Sequence, residues 1–302
     1  MSSTEQPFPP CPVCNKAVIS FSIHSKDYSL TANDFDIIEC KNCSLRYTFP
    51  MPSKEAIGPY YDFPEYISHT DVKVGWMNKI YHKVRTFTLH EKTKWIQSLF
   101  TGHKGQILEL GAGTGAFAHA MKIKGWSVTA LEPDAASRQR CLDTYGIQLQ
   151  PIENLYTLSE KKFEVITLWH VLEHVHDLKD YFQAFSKLLK PNGRLIIAVP
   201  NYTSYDAFFY KKYWAAYDVP RHLYHFSPAA MNALVKQFNM QIVEYKPMWF
   251  DSFYVSLLSE KYKKSGALGV ARALIIGGIS NIKALSNPKK ASSLIYQIKK
   301  LS

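Results

Sequence analysis

The sequence predicts an α/β fold, a parallel sheet wrapped by helices, with a small cysteine-rich module ahead of it. Three observations carry this. Two Cys-x-x-Cys pairs, Cys11/Cys14 and Cys40/Cys43, stand near the start. After Lys104, short apolar runs alternate with helical patterns. A glycine-rich loop, Gly111-Ala112-Gly113-Thr114-Gly115, follows the first of those runs.

The cysteines come first. The two-residue gap in each pair lets both thiolates face one ion, so Cys11, Cys14, Cys40 and Cys43 are expected to hold Zn²⁺. Four thiolates fill a tetrahedral shell, which makes the zinc structural. Strand-like segments at 17–23 and 36–39 suit a zinc ribbon over residues 1–50. Two disulfides are the competing reading. Met1 to Pro10 has no basic stretch followed by an apolar core, so no signal peptide is expected and a cytoplasmic location is. That location disfavours disulfides. Cys141 stands alone in a helical pattern and is expected in the core.

Residues 51–100 form an aromatic-rich linker, with the cluster Tyr60-Tyr61-Asp62-Phe63. From Trp76 to Phe100 the pattern is helical, with Ile80, Val84, Phe87, Trp95, Ile96 and Leu99 as its apolar face. A break at 102–105 leads into the main domain, 101–302. Strands are expected at 106–110, 127–131, 163–169, 194–199 and 240–245, and helices at 116–124, 135–145, 177–190 and 227–238. Asp177 is positioned to N-cap its helix, and Pro191-Asn192-Gly193 to stop it. The apolar stretch 266–279 is interrupted by Arg272 and too short to span a bilayer.

The loop Leu108-Glu109-Leu110-Gly111-Ala112-Gly113-Thr114-Gly115 lies between a strand and a helix, where α/β sheets bind nucleotides. By itself it is weak, and it satisfies a loose dinucleotide fingerprint. Glu109 separates two ligands. A carboxylate beside the loop repels a pyrophosphate but suits the cationic amine and sulfonium of S-adenosylmethionine. Glu132, at the end of the next strand, is placed to accept hydrogen bonds from ribose hydroxyls of either ligand.

This loop, Leu131-Glu132-Pro133-Asp134, Val171-Leu172-Glu173-His174-Val175 and Leu189-Lys190-Pro191-Asn192-Gly193 resemble class I S-adenosylmethionine-dependent methyltransferases over residues 100–250. The resemblance implies a Rossmann-like seven-stranded sheet ending in an antiparallel hairpin, with 292–298 as last strand and a basic insertion at 252–288. It implies cofactor contacts from Gly111, Gly113 and Glu132, with Pro133 beside the adenine; Glu109, Ala112, Gly115 and His170 are further candidate contacts. The third strand is indistinct, near 147–150.

His170-Val171-Leu172-Glu173-His174 follows the fourth strand, so a helical turn would put residues 170, 173 and 174 on one face. His170 or His174 is a candidate general base, with Glu173 orienting it. His-x-x-Glu-His also matches the inverted zinc-peptidase motif, but that requires an established helix rather than a strand end. Some quinone-pathway O-methyltransferases look similar here and hold a divalent ion, which makes Glu173 and His174 candidate ligands. In Pro220-Arg221-His222-Leu223-Tyr224-His225, Arg221 and His222 are candidate substrate contacts and His225 a further acid–base group. Tyr60 and Tyr61 are candidates to close the pocket.

The Asp/Asn-Pro-Pro-aromatic signature of enzymes that methylate nucleic-acid amino groups is absent; Thr167-Leu168-Trp169-His170 stands in its place. The four-cysteine ribbon beside a Glu-His pair is similar to deoxysugar C-methyltransferases, whose longer C-terminal domain has no counterpart here. The expected acceptor is a small molecule, a sugar or envelope metabolite, methylated at carbon or oxygen. An RNA base methyltransferase is the alternative, and a non-catalytic zinc-ribbon interaction protein the third reading. The net charge of +11 is concentrated in residues 261–302, which hold nine Lys/Arg and no Asp/Glu. Such a segment favours an anionic partner, nucleic acid or a membrane surface, on which 268–279 could lie as an interfacial helix.

Overall fold

The computed structural model describes residues 8–62, 76–100 and 104–301, without the side chains of 21–22 and 76–82. Met1 to Pro7, Phe63, the Gly102-His103 part of the expected break and the side chain of Ile80 lie outside that description. The N-terminal module is an antiparallel sheet of β1 (Ile19–Lys26), β2 (Asp34–Cys40) and β3 (Arg46–Phe49). Its inner residues Ile37, Ile38 and Tyr47 are buried. A fourth strand, β8 (Tyr224–His225), comes from the main domain and pairs with β3, Tyr47 opposite Tyr224. Ribbon and main domain therefore share one sheet. The Tyr202 hydroxyl donating to Ser44 O at 2.6 Å and Thr48 Oγ1 donating to His222 O at 2.6 Å reinforce the seam.

The main sheet has the order β5-β4-β6-β7-β10-β9. Strands β4 (Gln106–Leu110), β5 (Ser127–Leu131), β6 (Phe163–Trp169) and β7 (Leu189–Pro200) are parallel. β10 (Ser293–Lys300) inserts between β7 and β9 (Met240–Pro247), antiparallel to both. Central strands with both faces covered read as continuous apolar runs, and Ile107, Leu108, Leu110, Val165, Ile166 and Leu168 are all inaccessible to solvent. The expected third strand is reduced to one bridge, Leu131 to Gln150. Between the left-handed Gly146 that ends a helix and Pro151, the segment is too short to extend a ladder.

Helices α1 (Trp76–Ser98), α2 (Ala116–Ile123), α3 (Ala135–Tyr145), α4 (Leu178–Leu188), α5 (Tyr205–Tyr210) and α6 (Pro228–Lys236) accompany the strands. The Ser227 hydroxyl caps α6 by accepting from Ala230 N. Three local expectations are corrected. Asp177 precedes α4 but caps nothing with its side chain; it is drawn away to an ion pair with Lys54. Pro191-Asn192-Gly193 lies inside β7 as an irregularity between the Phe163–Leu189 and Val165–Arg194 pairs, because α4 has already ended at Leu188. Phe87 is 54% exposed and drops out of the expected face of α1, whereas Ile96 is buried as expected and Thr93 joins it.

Between β9 and β10 lies a helical hairpin, α7 (Asp251–Tyr262) and α8 (Gly266–Ser286). The two backbones approach closely at Gly277, where a Cβ would stand 2.7 Å from the Phe253 ring and 3.1 Å from its Cα. The apolar stretch expected to be short is the core of this 21-residue α8, long and apolar enough by composition to cross a membrane, with 33% of its window buried.

Candidate functional site

The site lies at the C-terminal ends of β4, β5 and β6, where the chain leaves the sheet. Gly111, Gly113 and Gly115 all have positive φ, +64°, +55° and +79°, a backbone that only glycine adopts cheaply. Two of them also leave no room behind the loop. A Cβ on Gly111 would sit 2.3 Å from Val171 Cγ2, and one on Gly115 would sit 2.1 Å from Cys141 Sγ. Cys141 is fully buried there, the core thiol expected of it. Gly113 differs: among the described residues nothing stands within 4 Å of its missing side chain. The loop is packed on one side and open at Gly113.

Two carboxylates border this opening. Glu132 accepts from Gly113 N at 2.7 Å and from Asp134 N at 3.0 Å, tying the loop to the end of β5. Burial raises its pKa while those two amides oppose the rise. Glu109 is 3% exposed, and its Oε2 is buried without a hydrogen-bond partner among the described residues. Burial pushes its pKa up to about 8, against the pull of Lys92 and with a small push from Glu132. Such a carboxyl is poised for a cation. Ala112 donates its N–H to Leu131 O, and the Pro133 carbonyl accepts from Arg138 at 2.6 Å, so their polar backbone groups are used within the protein.

The turn after β6 forms the second half. His170 has φ +56°, a strained conformation for a non-glycine residue. Its Nδ1 lies 3.3 Å from Glu173 Oε1 and its Nε2 3.1 Å from Asp251 Oδ2, on α7. Burial works against a charged imidazole, but hydrogen bonds to Asp251 and Glu173 overcome it and lift His170 to about 9. His170 is thus protonated at neutral pH with both nitrogens engaged. This overturns its role as a base and leaves only its ring face for a cofactor. It joins α7 to the turn.

His174 is the opposite case. Burial, then neighbouring His222, lower it to about 4. The neutral ring has Arg221 O at 3.0 Å and the Tyr61 hydroxyl at 3.0 Å from Nδ1. Donation from Nδ1 to the Arg221 carbonyl leaves Nε2 as the basic nitrogen. His222 meets the His174 ring edge-on at 4.6 Å and has Ala216 O at 2.8 Å from its Nδ1. Glu173 is 1% exposed, and its Oε2 is buried without a partner among the described residues. Glu173, His174 and His222 each offer a ligand atom, all within 4.8 Å of one another.

Other expected site residues are placed elsewhere. Arg221 is 1% exposed and holds Asp27 at 2.8 Å, Asp218 at 2.7 Å and the Tyr60 carbonyl at 3.0 Å. It is an internal tie between ribbon and main domain, which corrects its reading as a substrate contact. His225 is 3% exposed on β8, 3.2 Å from Thr48 Oγ1 and edge-on to Tyr217. Burial depresses its pKa well below the usual range, and its ring packs in the seam between ribbon and main domain. Tyr60 packs edge-on against Phe35 of the ribbon, whereas Tyr61 reaches His174. Lys92 and Asp251 are site residues that the sequence pattern did not reveal. Lys92 Nζ lies 4.2 Å over the Trp169 ring. Both arrive on helices from outside the motifs, and nothing in their neighbours marks them.

The four ribbon sulfurs converge. Cys11 and Cys43 Sγ are 3.5 Å apart, Cys14 and Cys40 Sγ 3.4 Å, and all four lie within 4.8 Å of one another. Sulfurs around tetrahedral zinc are about 3.8 Å apart, whereas a disulfide needs about 2 Å. The donor set fits zinc, and all four cysteines are free thiols.

A glycine loop open between two acids, at the C-terminal edge of a parallel sheet closed by an antiparallel last strand, defines a nucleoside-binding α/β domain. A family model described as a methyltransferase domain matches residues 82–245, and the chain belongs to that family. Among curated proteins, it is 31% identical over 127 residues to a ubiquinone biosynthesis O-methyltransferase of Photobacterium profundum, covering 40% of this chain and 53% of that one. The counterpart in Rickettsia typhi is 27% identical over 243 residues, 74% of this chain and 93% of that one. The chain spans about half the length of the first relatives it matches. Among solved structures, Haemonchus contortus phosphoethanolamine N-methyltransferase 2 with S-adenosyl-L-methionine is similar at 15% identity and TM-score 0.48, over 70% of this chain and 53% of that one. A SAM-dependent methyltransferase from Archaeoglobus fulgidus is similar at 18% and 0.45, over 74% and 100%.

Proposed function

We propose that this protein transfers the methyl group of S-adenosylmethionine to an oxygen of a small-molecule acceptor, with a structural zinc in the ribbon. The observation that carries the reading is the buried Glu109, whose Oε2 has no hydrogen-bond partner among the described residues, together with the open face of Gly113. That pair suits a ligand which is a nucleoside at one end and a cation at the other. Glu132 would accept from the ribose and Glu109 would face the amine. When bound, the cofactor supplies an electrophilic methyl on a sulfonium. The protein's part is alignment and proton removal. His174, neutral and fixed through Nδ1, would take the acceptor's hydroxyl proton on Nε2 while Tyr61 braces the ring. His170 acts as a positioning residue by holding Glu173 and Asp251. The names of the relatives favour an oxygen acceptor over a sugar carbon.

A second reading rests on Glu173, His174 and His222. The unpartnered Glu173 Oε2 and two imidazoles suit a divalent ion, which would acidify a bound hydroxyl. Calorimetric titration with S-adenosylmethionine tests the main reading. Micromolar binding lost with Glu132→Ala supports it, and well-folded protein that takes up no donor removes it. Activity abolished by a chelator that leaves donor binding intact selects the metal-assisted form.

A further inference from the structure

α8 has two opposite faces of different chemistry. Gly269, Ala273, Ile276, Gly277, Ser280 and Ala284 are buried against the rest of the protein. Ser280 donates to the buried Asp206 at 2.7 Å, and Arg272 is paired with Glu260 of α7. The other face carries Leu268 (80% exposed), Ile275 (61%), Ile282 (66%) and Leu285 (72%), recurring at helical spacing, with Val270 and Leu274 beside them. A soluble surface rarely exposes large aliphatics in one stripe. At its C-terminal half the stripe approaches a second apolar group. Asn281 donates to Trp249 O at 2.8 Å, and exposed Trp249 and Phe250 lie there, with exposed Phe87 edge-on to Phe250.

The charge around this surface is of one sign. Lys263, Lys264, Lys283, Lys289 and Lys290 are exposed at the two ends of α8 and just beyond. From residue 249 to 302 the acids are Asp251 and Glu260, already engaged by His170 and Arg272. Exposed aliphatics rimmed by lysines, with a Trp at the margin, match the boundary between acyl chains and anionic headgroups.

We propose that the outer face of α8, together with Trp249 and Phe250, docks on an anionic lipid bilayer. The helix lies in the interface and does not cross it, because its small-residue face is packed on α7 and anchored through Ser280 to Asp206. Docking does not depend on methyl transfer. Where that reading holds, Asp251 at the start of α7 places His170 beside the lipid surface, and an acceptor carried in the lipid phase would reach the site.

The test is vesicle flotation of the full chain, with phosphatidylcholine alone or mixed with phosphatidylglycerol. The expected result is flotation with the anionic mixture, weak flotation with phosphatidylcholine, and loss at high salt. The triple variant Leu268→Glu, Ile275→Glu, Ile282→Glu changes solvent-exposed positions only, so its circular dichroism should be unchanged, and its vesicle binding should fall at least about tenfold. No flotation of the wild type with anionic vesicles, or equal flotation of the triple variant, overturns the proposal. So does light scattering that shows a dimer dispersed by the triple variant without vesicle binding, since the patch would then be covered by a second copy. Donor binding by calorimetry is independent of these outcomes, so failure of docking and failure of the methyl-transfer reading are told apart.

Discussion

Replacing Glu109 by Gln separates what this carboxyl costs the fold from what it does for the ligand. Gln keeps the shape and removes the charge. In the folded protein, burial raises Glu109 to about 8 from an ordinary value of 4.5. A carboxyl raised on folding destabilises the protein only where the unfolded chain would ionise. The cost is nil below pH 4.5, grows by about 1.4 kcal/mol per pH unit between 4.5 and 8, and is constant above. At pH 7 it amounts to about 3 kcal/mol. That figure already contains the pull of Lys92 on the carboxylate. The expected result is a Gln variant that withstands more urea than wild type at pH 7 and matches it at pH 4. The same variant should bind S-adenosylmethionine at least about tenfold more weakly, having lost the anion facing the amine. In the wild type, affinity should rise with pH toward 8, as the bound cation draws the carboxyl into its ionised form. Coincident urea transitions at pH 7, or undiminished donor affinity in the Gln variant, refute the assignment.

Other outcomes follow from the same geometry. Glu132→Ala removes the acceptor for Gly113 N and the proposed ribose contact, so donor affinity should fall by about 2 kcal/mol in calorimetry. Gly111→Ala forces a Cβ to within 2.3 Å of Val171 at φ +64°, and should cost about 1–3 kcal/mol in urea unfolding. Arg221→Met strands Asp27 and Asp218 without a cation. Unfolding should ease by about 3–5 kcal/mol, while an unaltered KM with a shifted urea midpoint would show that Arg221 ties domains rather than touching substrate. Metal analysis should find one zinc per chain. Its removal by a chelator should loosen β1–β3, seen as faster hydrogen exchange there, and Cys40→Ser should mimic it.

Much of the site was written locally in the chain. The glycine loop and Glu109 are contiguous, and Glu132 ends the next strand, so a strand–loop–helix pattern was enough to bring them together. The cysteine pairs are likewise legible, since each two-residue gap fixes two sulfurs on one side, and the β1–β2 pairing that sets Ile19 opposite Cys40 brings the two pairs together. Strand type was legible because buried parallel strands are apolar throughout. The reduced third strand was less so, since a single bridge leaves almost no periodicity to read.

Tertiary structure decided the electrostatics, and these reversed several residue roles. His170 and His174 are near neighbours of one chemical type in the sequence. Asp251, delivered by α7, holds one as a cation, and burial beside His222 keeps the other neutral against the opposing pull of the Arg221 carbonyl. Arg221 resembles a free anion-binding residue until Asp27 of the ribbon meets it. Helical and strand periods report which face is apolar, but not which charge lies across the interface. A side chain's protonation state depends on groups within a few ångströms, and these come from anywhere in the chain. The sequence therefore determined the sheet, the glycine loop and the sulfur cluster, whose geometry is local. Only the packed structure decided which histidine is held by two carboxylates, which arginine is already spent and which face of α8 is left to solvent.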